Sequence, residues 1–418
     1  MDKIRSLQII RKFLPDGNSD EEKMVRTICC NLANSGIQTG IIATKAKSEK
    51  EMEIIKEIPI RRFDYFYPYL NLSEEAAKAF DLEGGDPFSW QIYRYLIKSG
   101  EADILHCHSA GRLANIVRLA AGKKKLPYVV TIHHNTTQSH LNNEVEPDTT
   151  AKGFGNYGKL IDRFLKSGNV LKDAAGILCL GYESFCSLQQ NYPDKIVTYF
   201  HEGVDVARFK VESVRNFRLH HQINPAADIV LCAGEIEPQK NQMILVELAN
   251  LLREKHEIMH LILLGHIASE DYYRRLRQQI SKLKLEKNVT FLTGLDADDP
   301  EYAKAYQAAD FFILPSLRET AEKTVLEAWA SRLPVIAHRV DVLQKLIIHK
   351  HNGLIFENDS LFDLAEQYFL LRDHPDLRVK LIHNAYEEVC CNCSWPALTG
   401  KLLEFYRTVI EKYHNGGK

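Results

Sequence analysis

Pro315-Ser316-Leu317-Arg318-Glu319-Thr320-Ala321-Glu322-Lys323-Thr324-Val325-Leu326-Glu327-Ala328-Trp329 follows the apolar run Phe311–Leu314 and opens a helical pattern; the next run is Leu333-Pro334-Val335-Ile336-Ala337. Strand, polar loop, helix and strand again is the repeating unit of a parallel sheet. Glu319 and Glu327 stand eight residues apart. On one continuous helix they would differ by about 80° in azimuth, so the better placement puts Glu319 in the strand-end loop and Glu327 in the first turns of the helix. A carboxylate accepts from two vicinal hydroxyls, which suits a ribose or a hexose. Thr324 with Glu327 also fits a capping box, in which Glu327 merely satisfies the helix start.

The same alternation extends in both directions. Runs at Ser6–Ile10, Thr39–Ala43, Ile104–His106, Tyr128–Ile132, Gly176–Leu180 and Ile196–Tyr199 predict six strands before a break near Gly203–Pro225. Ile229–Ala233, His260–Leu264, Val289–Leu292, Phe311–Leu314 and Pro334–Ala337 predict five after it. Helical stretches such as Glu22–Ser35, Gly111–Ala121 and Met243–Lys255 lie between. Continuous apolar strands are expected where both faces of a sheet are covered. Eleven strands are many for one sheet, so two Rossmann-like halves sharing a cleft at their strand ends are the economical architecture.

Composition narrows the function. The 418 residues carry a formal net charge of −2, with 45% hydrophobic and 26% charged residues. That is globular usage, and it argues against a chain whose main work is neutralising nucleic-acid phosphates. No apolar run reaches the length of a membrane span, and the apolar stretch of Met1–Ile10 is too short for a signal peptide, so a cytoplasmic address is expected. Nine cysteines lack paired metal-site spacing; Cys390, Cys391 and Cys393 are the one cluster. Asp296, Asp298 and Asp299 precede Pro300 and read as a turn and helix start, so no metal site is expected.

The Glu319–Glu327 segment with Leu333-Pro334-Val335-Ile336-Ala337 resembles the signature of family-4 retaining glycosyltransferases with the GT-B fold (glycosyltransferase group 1 type). The resemblance covers most of the chain and takes in further motifs in family order. They are Asp103-Ile104-Leu105-His106-Cys107-His108-Ser109, Thr131-Ile132-His133, Gly203-Val204-Asp205 with Phe209, Gly234 with Lys240, Asn352-Gly353-Leu354, and Ser394-Trp395 before a last amphipathic helix. It implies an α/β chain of two facing Rossmann-like domains, residues 1–207 with 395–418 and residues 208–394, the last helix crossing back to the first domain.

It also implies a reaction: transfer of a hexose-type sugar, with retention, from a nucleotide-diphosphate sugar to a glycan or lipid-linked acceptor. No cofactor or metal is expected, the nucleotide sugar being a co-substrate. By the same resemblance Glu327 holds the donor ribose, Glu319 contacts the transferred sugar, Lys240 beside Gly234 pairs with the diphosphate, and His133 sits near the donor sugar. Gly17 and His108 fall on the acceptor side. Fixed cations and helix N-terminal amides, here near Thr324, suit a leaving diphosphate.

Departures cluster around the phosphates. Glu235 stands where the family has Arg, Ala321-Glu322 where it often has Phe-Gly, and Arg332 where it has Gly; the loop after the first strand keeps only Gly17. Lys323, Arg332 and Arg339 are the cations expected to compensate. The altered loops keep two other readings open, a non-catalytic nucleotide-sugar binder and a GT-B epimerase. Gly111–Lys125, apolar with a basic end, reads as a sheet-packing helix or a surface for anionic membrane. The aromatic stretch Phe63–Leu70 reads as packing under a loop, as a stacking surface for acceptor sugar or as a membrane contact.

Overall fold

The computed structural model describes residues 4–14, 17, 19–70, 72–83, 85–100, 102–133, 155–156, 162–163, 169–210, 215–318, 322–357 and 360–416. The chain forms two compact units, Met1–Phe200 with Leu398–Lys418, and His201–Ala397. All eleven expected strands are present, each within one residue at its ends.

The first unit holds β1 (Arg5–Ile9), β2 (Gln38–Thr44), β3 (Met52–Ile55), β4 (Ile58–Phe63), β5 (Tyr69–Leu70), β6 (Ile104–Cys107), β7 (Tyr128–Ile132), β8 (Gly155–Asn156), β9 (Gly176–Cys179) and β10 (Ile196–Tyr199). Eight of them form one sheet in the order β10-β9-β7-β6-β1-β2-β4-β3, parallel except for the β3–β4 hairpin. The order reverses between β6 and β1, so their carboxyl ends open the crevice where ligands of such sheets bind. The last helix, Trp395–Asn415, packs on this unit: a Cβ built on Gly176 would stand 2.8 Å from Phe405 and Val409 side chains.

The second unit holds β11 (Asp228–Ala233), β12 (Met259–Leu264), β13 (Val289–Leu292), β14 (Phe311–Leu314), β15 (Val335–His338) and β16 (Leu354–Phe356), all parallel, in the order β13-β12-β11-β14-β15-β16. Its switch point lies between β11 and β14. Side chains alternate across β11: Ile229, Leu231 and Ala233 join one core, Val230 and Cys232 the other. Helices therefore cover both faces, which is why these strands read as unbroken apolar runs. Val204 bridges to Ser394, and the Trp395 indole lies 2.4 Å from where a Cβ on Gly203 would stand, so the residues just after 200 pack with this unit.

Polar caps set the helix starts. Ser19 Oγ accepts from the Glu22 amide and Ser269 Oγ from that of Tyr272, while Asp299 caps the helix that begins with Pro300, as read from the sequence. Among the described residues no helix is long and apolar enough to cross a membrane.

Candidate active site

In the second unit the β11 and β14 strand ends carry the loops of interest. After β11 the chain turns at Gly234, whose φ of +153° disfavours a side chain. It then forms a short 3-10 turn over Pro238–Lys240. The Lys240 stem lies over Gly234, with its Cδ 3.7 Å from where a Cβ would be. After β14 the Leu317 amide donates to the Gln239 carbonyl at 2.9 Å, which ties the two loops together. Gly265, at the end of β12 with φ +151°, backs onto the same turn; a Cβ there would stand 2.0 Å from the Gly234 carbonyl oxygen.

The helix Lys323–Ala330 follows, with Glu322 as its N-cap residue and no side-chain cap bond. The capping-box reading of Thr324 and Glu327 is thus corrected: Thr324 is already helical, and the Glu327 carboxylate turns elsewhere. Its Oε2 accepts from Tyr302 at 2.8 Å and from Tyr306 at 2.9 Å, both on the helix Pro300–Ala308. Glu327 is 3% exposed. Burial raises its carboxyl above the usual range, against Lys323, the two tyrosine hydroxyls and Arg208, which favour the charged form. Arg208 stacks on Phe209 and Tyr302. Sequence reading missed Arg208, Tyr302 and Tyr306, because no spacing within the Glu327 segment points to a preceding helix.

The other predicted donor-side residues divide. Lys323 and Thr324 lie in the first turn of the helix, where amides are free of intrahelical partners. Arg332 is at the opposite end. It holds φ +59° just past the helix and stacks on Tyr386 at 3.8 Å, so it does not replace a cation at the helix start. Arg339 pairs with Glu357 at 2.6 Å. The Glu235 side chain is exposed, and buried Glu322 pairs with His201 at 3.0 Å. Glu319 lies outside the described residues.

In the first unit His106 and His108 share one face, as strand alternation requires, with rings 4.2 Å apart. His106 is held at both nitrogens, 2.6 Å from the Tyr406 hydroxyl and 2.6 Å from Thr131 Oγ1. Burial pushes its pKa down to about 3. It is a structural histidine tying the last helix to the sheet. His108 is also buried, with Nε2 2.9 Å from Gln8 Oε1 and Nδ1 without a hydrogen-bond partner among the described residues. His133, at the end of β7, keeps 27% of its side chain exposed, and Nε2 lies 3.9 Å from Glu21 Oε1. The neighbouring position 134 lies outside the described residues. Burial pushes the Glu21 carboxyl up to about 7. Gly17 packs on the Glu22 carboxylate, which accepts from the Leu14 amide at 2.8 Å; a Cβ there would come within 2.6 Å of Glu22.

The remaining candidates are structural. Leu113, Ile116, Val117 and Ala120 of the helix Arg112–Lys124 are buried in the core, so its apolar face is not offered to a membrane. Tyr67 and Tyr69 pack with Phe80. Cys390 and Cys393 lie in a π-turn, and none of the nine cysteines is in a disulfide.

Two Rossmann-like units, each with loops at the switch point of its sheet, are the architecture of the GT-B fold. Residues 22–208 match the family described as Glycosyltransferase Family 4, and residues 214–388 the one described as Glycosyl transferases group 1. Between them they take in most of the chain, which belongs to this family.

Among curated proteins the chain is similar to a D-inositol 3-phosphate glycosyltransferase of Pseudarthrobacter chlorophenolicus, 30% identical over 50% of this chain and 50% of that protein. It is similar to the alpha-monoglucosyldiacylglycerol synthase of Streptococcus pneumoniae, 29% identical over 65% of this chain and 59% of that one. A D-inositol 3-phosphate glycosyltransferase of Corynebacterium efficiens matches at 24% over 92% and 89%. The match thus spans about half to three fifths of the length of the first two relatives. In fold the chain is similar to a glycosyltransferase from Rickettsia africae (TM-score 0.68, 18% identity, 98% of this chain and 100% of that one). It is also similar to Anabaena Alr3699/HepE in complex with UDP (TM-score 0.67, 15% identity, 97% and 100%).

Proposed function

We propose that this glycosyltransferase moves a hexose-type sugar, with retention, from a nucleotide-diphosphate sugar to a glycan or lipid-linked acceptor, without a metal ion or cofactor. The donor sits on the second unit and the acceptor on the first. Breaking the bond between the anomeric carbon and the phosphate oxygen puts positive charge on the sugar and negative charge on the leaving diphosphate. Lys240 and the first-turn amides of Lys323–Ala330 stabilise that leaving charge. Glu327, with Oε2 held by two tyrosines, offers Oε1 to the ribose hydroxyls. Glu319 and His133 take the sugar-facing roles that the family resemblance gives them. Nine cysteines without a disulfide suit a reducing, cytoplasmic compartment.

The observation that supports this reading is at the β11/β14 switch point: the Leu317–Gln239 hydrogen bond of 2.9 Å ties the Pro238–Lys240 turn to the segment that leaves β14. The test is incubation of the purified protein with UDP-, GDP- and ADP-glucose and a diacylglycerol or inositol phosphate acceptor in EDTA, followed by NMR of the anomeric proton of the glycoside formed. Release of product with the donor's own anomeric configuration is expected for one of the three. Inverted product, or turnover that depends on added metal, would reject it. Exposed Glu235 and buried Glu322 add two acids to this half, which favours one second reading, a binder without turnover; it predicts nucleotide binding and no product.

A further inference from the structure

The carboxyl edge of the first sheet carries aromatic side chains that the proposed reaction does not use. β4 runs parallel to β2, and β2 to β1, so its carboxyl end lies on the same edge as theirs. Beyond Phe63 the chain continues through Asp64 to Phe66, and residues 86–90 run beside it. Phe66 and Phe88 exchange two backbone hydrogen bonds, at 3.0 and 2.9 Å. The Asp86 carboxylate accepts from the Arg112 amide at 2.9 Å, which fixes the same segment to the start of the helix that follows β6 and His108. Both attachments hold the segment at the strand ends where ligands of such sheets bind.

Tyr67 and Tyr69 turn into the core, but Phe66 is 43% exposed and Trp90 52%. The rings are held in place. Phe88 touches both, with centroids 5.5 Å from Phe66 and 5.6 Å from Trp90, and Trp90 stacks on Tyr93 at 5.1 Å with 18° between the planes. Large apolar rings kept rigid in water favour a ligand that covers them. Their border is polar. Ser89 Oγ donates to the Asp64 carbonyl at 2.6 Å, and Gln91 Nε2 donates to Asp64 Oδ2 at 2.7 Å, so Asp64 is fixed to both neighbours of Trp90. Asp64 also pairs with Lys45 at 2.8 Å, yet its side chain stays 59% exposed. A carboxylate has about four lone-pair sites and an amide nitrogen carries two hydrogens, so both keep capacity for hydroxyl groups. Asp64 further helps to line a cavity of about 420 Å³, in which Lys45, Lys47 and Lys78 face Glu49, Asp64 and Asp81. Those charges cancel, so this rim suits a neutral hydrogen-bonding ligand and not an ion. A sugar ring meets both demands: its C–H face covers an aromatic ring, and its hydroxyls reach carboxylate and amide at the border. A bilayer would cover the rings only by taking Gln91 and the Asp64–Lys45 pair out of water.

We infer that Trp90, Phe66, Asp64 and Gln91 form a subsite for a neutral sugar residue of the acceptor. The inference rests on the proposed reading that the first unit receives the acceptor, and it deepens that reading: the acceptor already carries sugar before the transfer. Trp90 and Phe66 take the C–H face of that residue, and Asp64 and Gln91 take its hydroxyls.

The test applies the full chain, Trp90→Ala and Trp90→Phe to an array of neutral and sialylated oligosaccharides, with UDP, GDP and ADP titrated calorimetrically into the same samples. The wild type should retain neutral oligosaccharides, Trp90→Phe should bind them within about threefold of the wild type, and Trp90→Ala at least about tenfold more weakly, with nucleotide affinity unchanged. Should Trp90→Ala not fold, Gln91→Ala, altered at an exposed side chain, makes the same comparison, and weaker glycan binding is again expected. No oligosaccharide bound by the wild type, equal binding by the variant, or a preference for the sialylated members overturns the inference. So does capture of the wild type by phosphatidylcholine–phosphatidylglycerol vesicles, or a dimer in sedimentation, if either is lost in Trp90→Ala, since the rings would then serve a bilayer or a second copy of the chain. A protein that binds neutral glycan but none of the nucleotides keeps this subsite and counts against the proposed donor site; one that binds a nucleotide and no glycan removes the subsite alone.

Discussion

Tyr306, on the helix that precedes β14, donates its hydroxyl hydrogen to Glu327 Oε2 at 2.9 Å on the helix that follows it. Tyr302 donates to the same oxygen at 2.8 Å. Two phenols thus fix one oxygen of a buried carboxylate and leave its orientation determined before any ligand arrives. Tyr306→Phe should cost about 1–3 kcal/mol of stability. The sign with pH follows from Glu327, whose folded pKa is raised. Such a carboxyl stabilises the fold below its unfolded pKa, and that contribution is lost as pH rises through the folded value. Removing a donor to the charged form raises the folded value further, so the variant should lose more stability at pH 8 than at pH 5. Urea unfolding at both pH values checks this; an equal loss at both would show that Tyr306 does not serve the carboxylate.

Glu21 gives a second pH signature. Its carboxyl is raised from 4.5 to about 7, chiefly by burial. Wild-type stability should therefore fall as pH rises between about 4.5 and 7, relative to Glu21→Gln. The difference is on the order of 1–2 kcal/mol after discounting for partial exposure. Denaturant midpoints of the two proteins across this range measure it. Parallel curves would place Glu21 in water.

Gly265→Ala should unfold the second unit locally. The added Cβ would stand 2.0 Å from the Gly234 carbonyl oxygen, a backbone atom, at φ +151°. A loss of about 3 kcal/mol or more is expected, together with loss of nucleotide binding. Retained nucleotide affinity in a folded variant would mean that the Gly234 turn does not shape the donor site.

Tyr406→Phe tests the structural role of His106. The hydroxyl lies 2.6 Å from His106 Nδ1 and accepts from Gln8 Nε2 at 3.2 Å. Its loss should cost about 1–3 kcal/mol and leave nucleotide affinity unchanged. Thermal unfolding and calorimetry on one sample give both numbers; a change in nucleotide affinity would make the network part of the donor machinery.

Much of the fold was legible because buried parallel strands write themselves as apolar runs. The β3–β4 hairpin was not. Its turn residues Lys56 and Glu57 take φ of +47° and +70°, a left-handed turn made without the usual Asn-Gly. Arg332 was misplaced for a related reason. Charge type suggested a phosphate partner, while the backbone needed only a left-handed residue after the helix, at φ +59°. His106 and His108 could be placed on one face from alternation alone, but which was satisfied depended on Tyr406, 300 positions away in sequence from His106. Local spacing carries strand ends and helix starts; it does not carry the partners that other elements bring.

The most direct test of the donor site is calorimetric titration of UDP, GDP and ADP into the wild type and Lys240→Ala. One nucleotide should bind the wild type, and the variant should bind it at least about tenfold more weakly at unchanged thermal stability, since a charged partner of the diphosphate is gone. Equal affinity in the two proteins would contradict the placement of the donor phosphates at the β11/β14 strand ends.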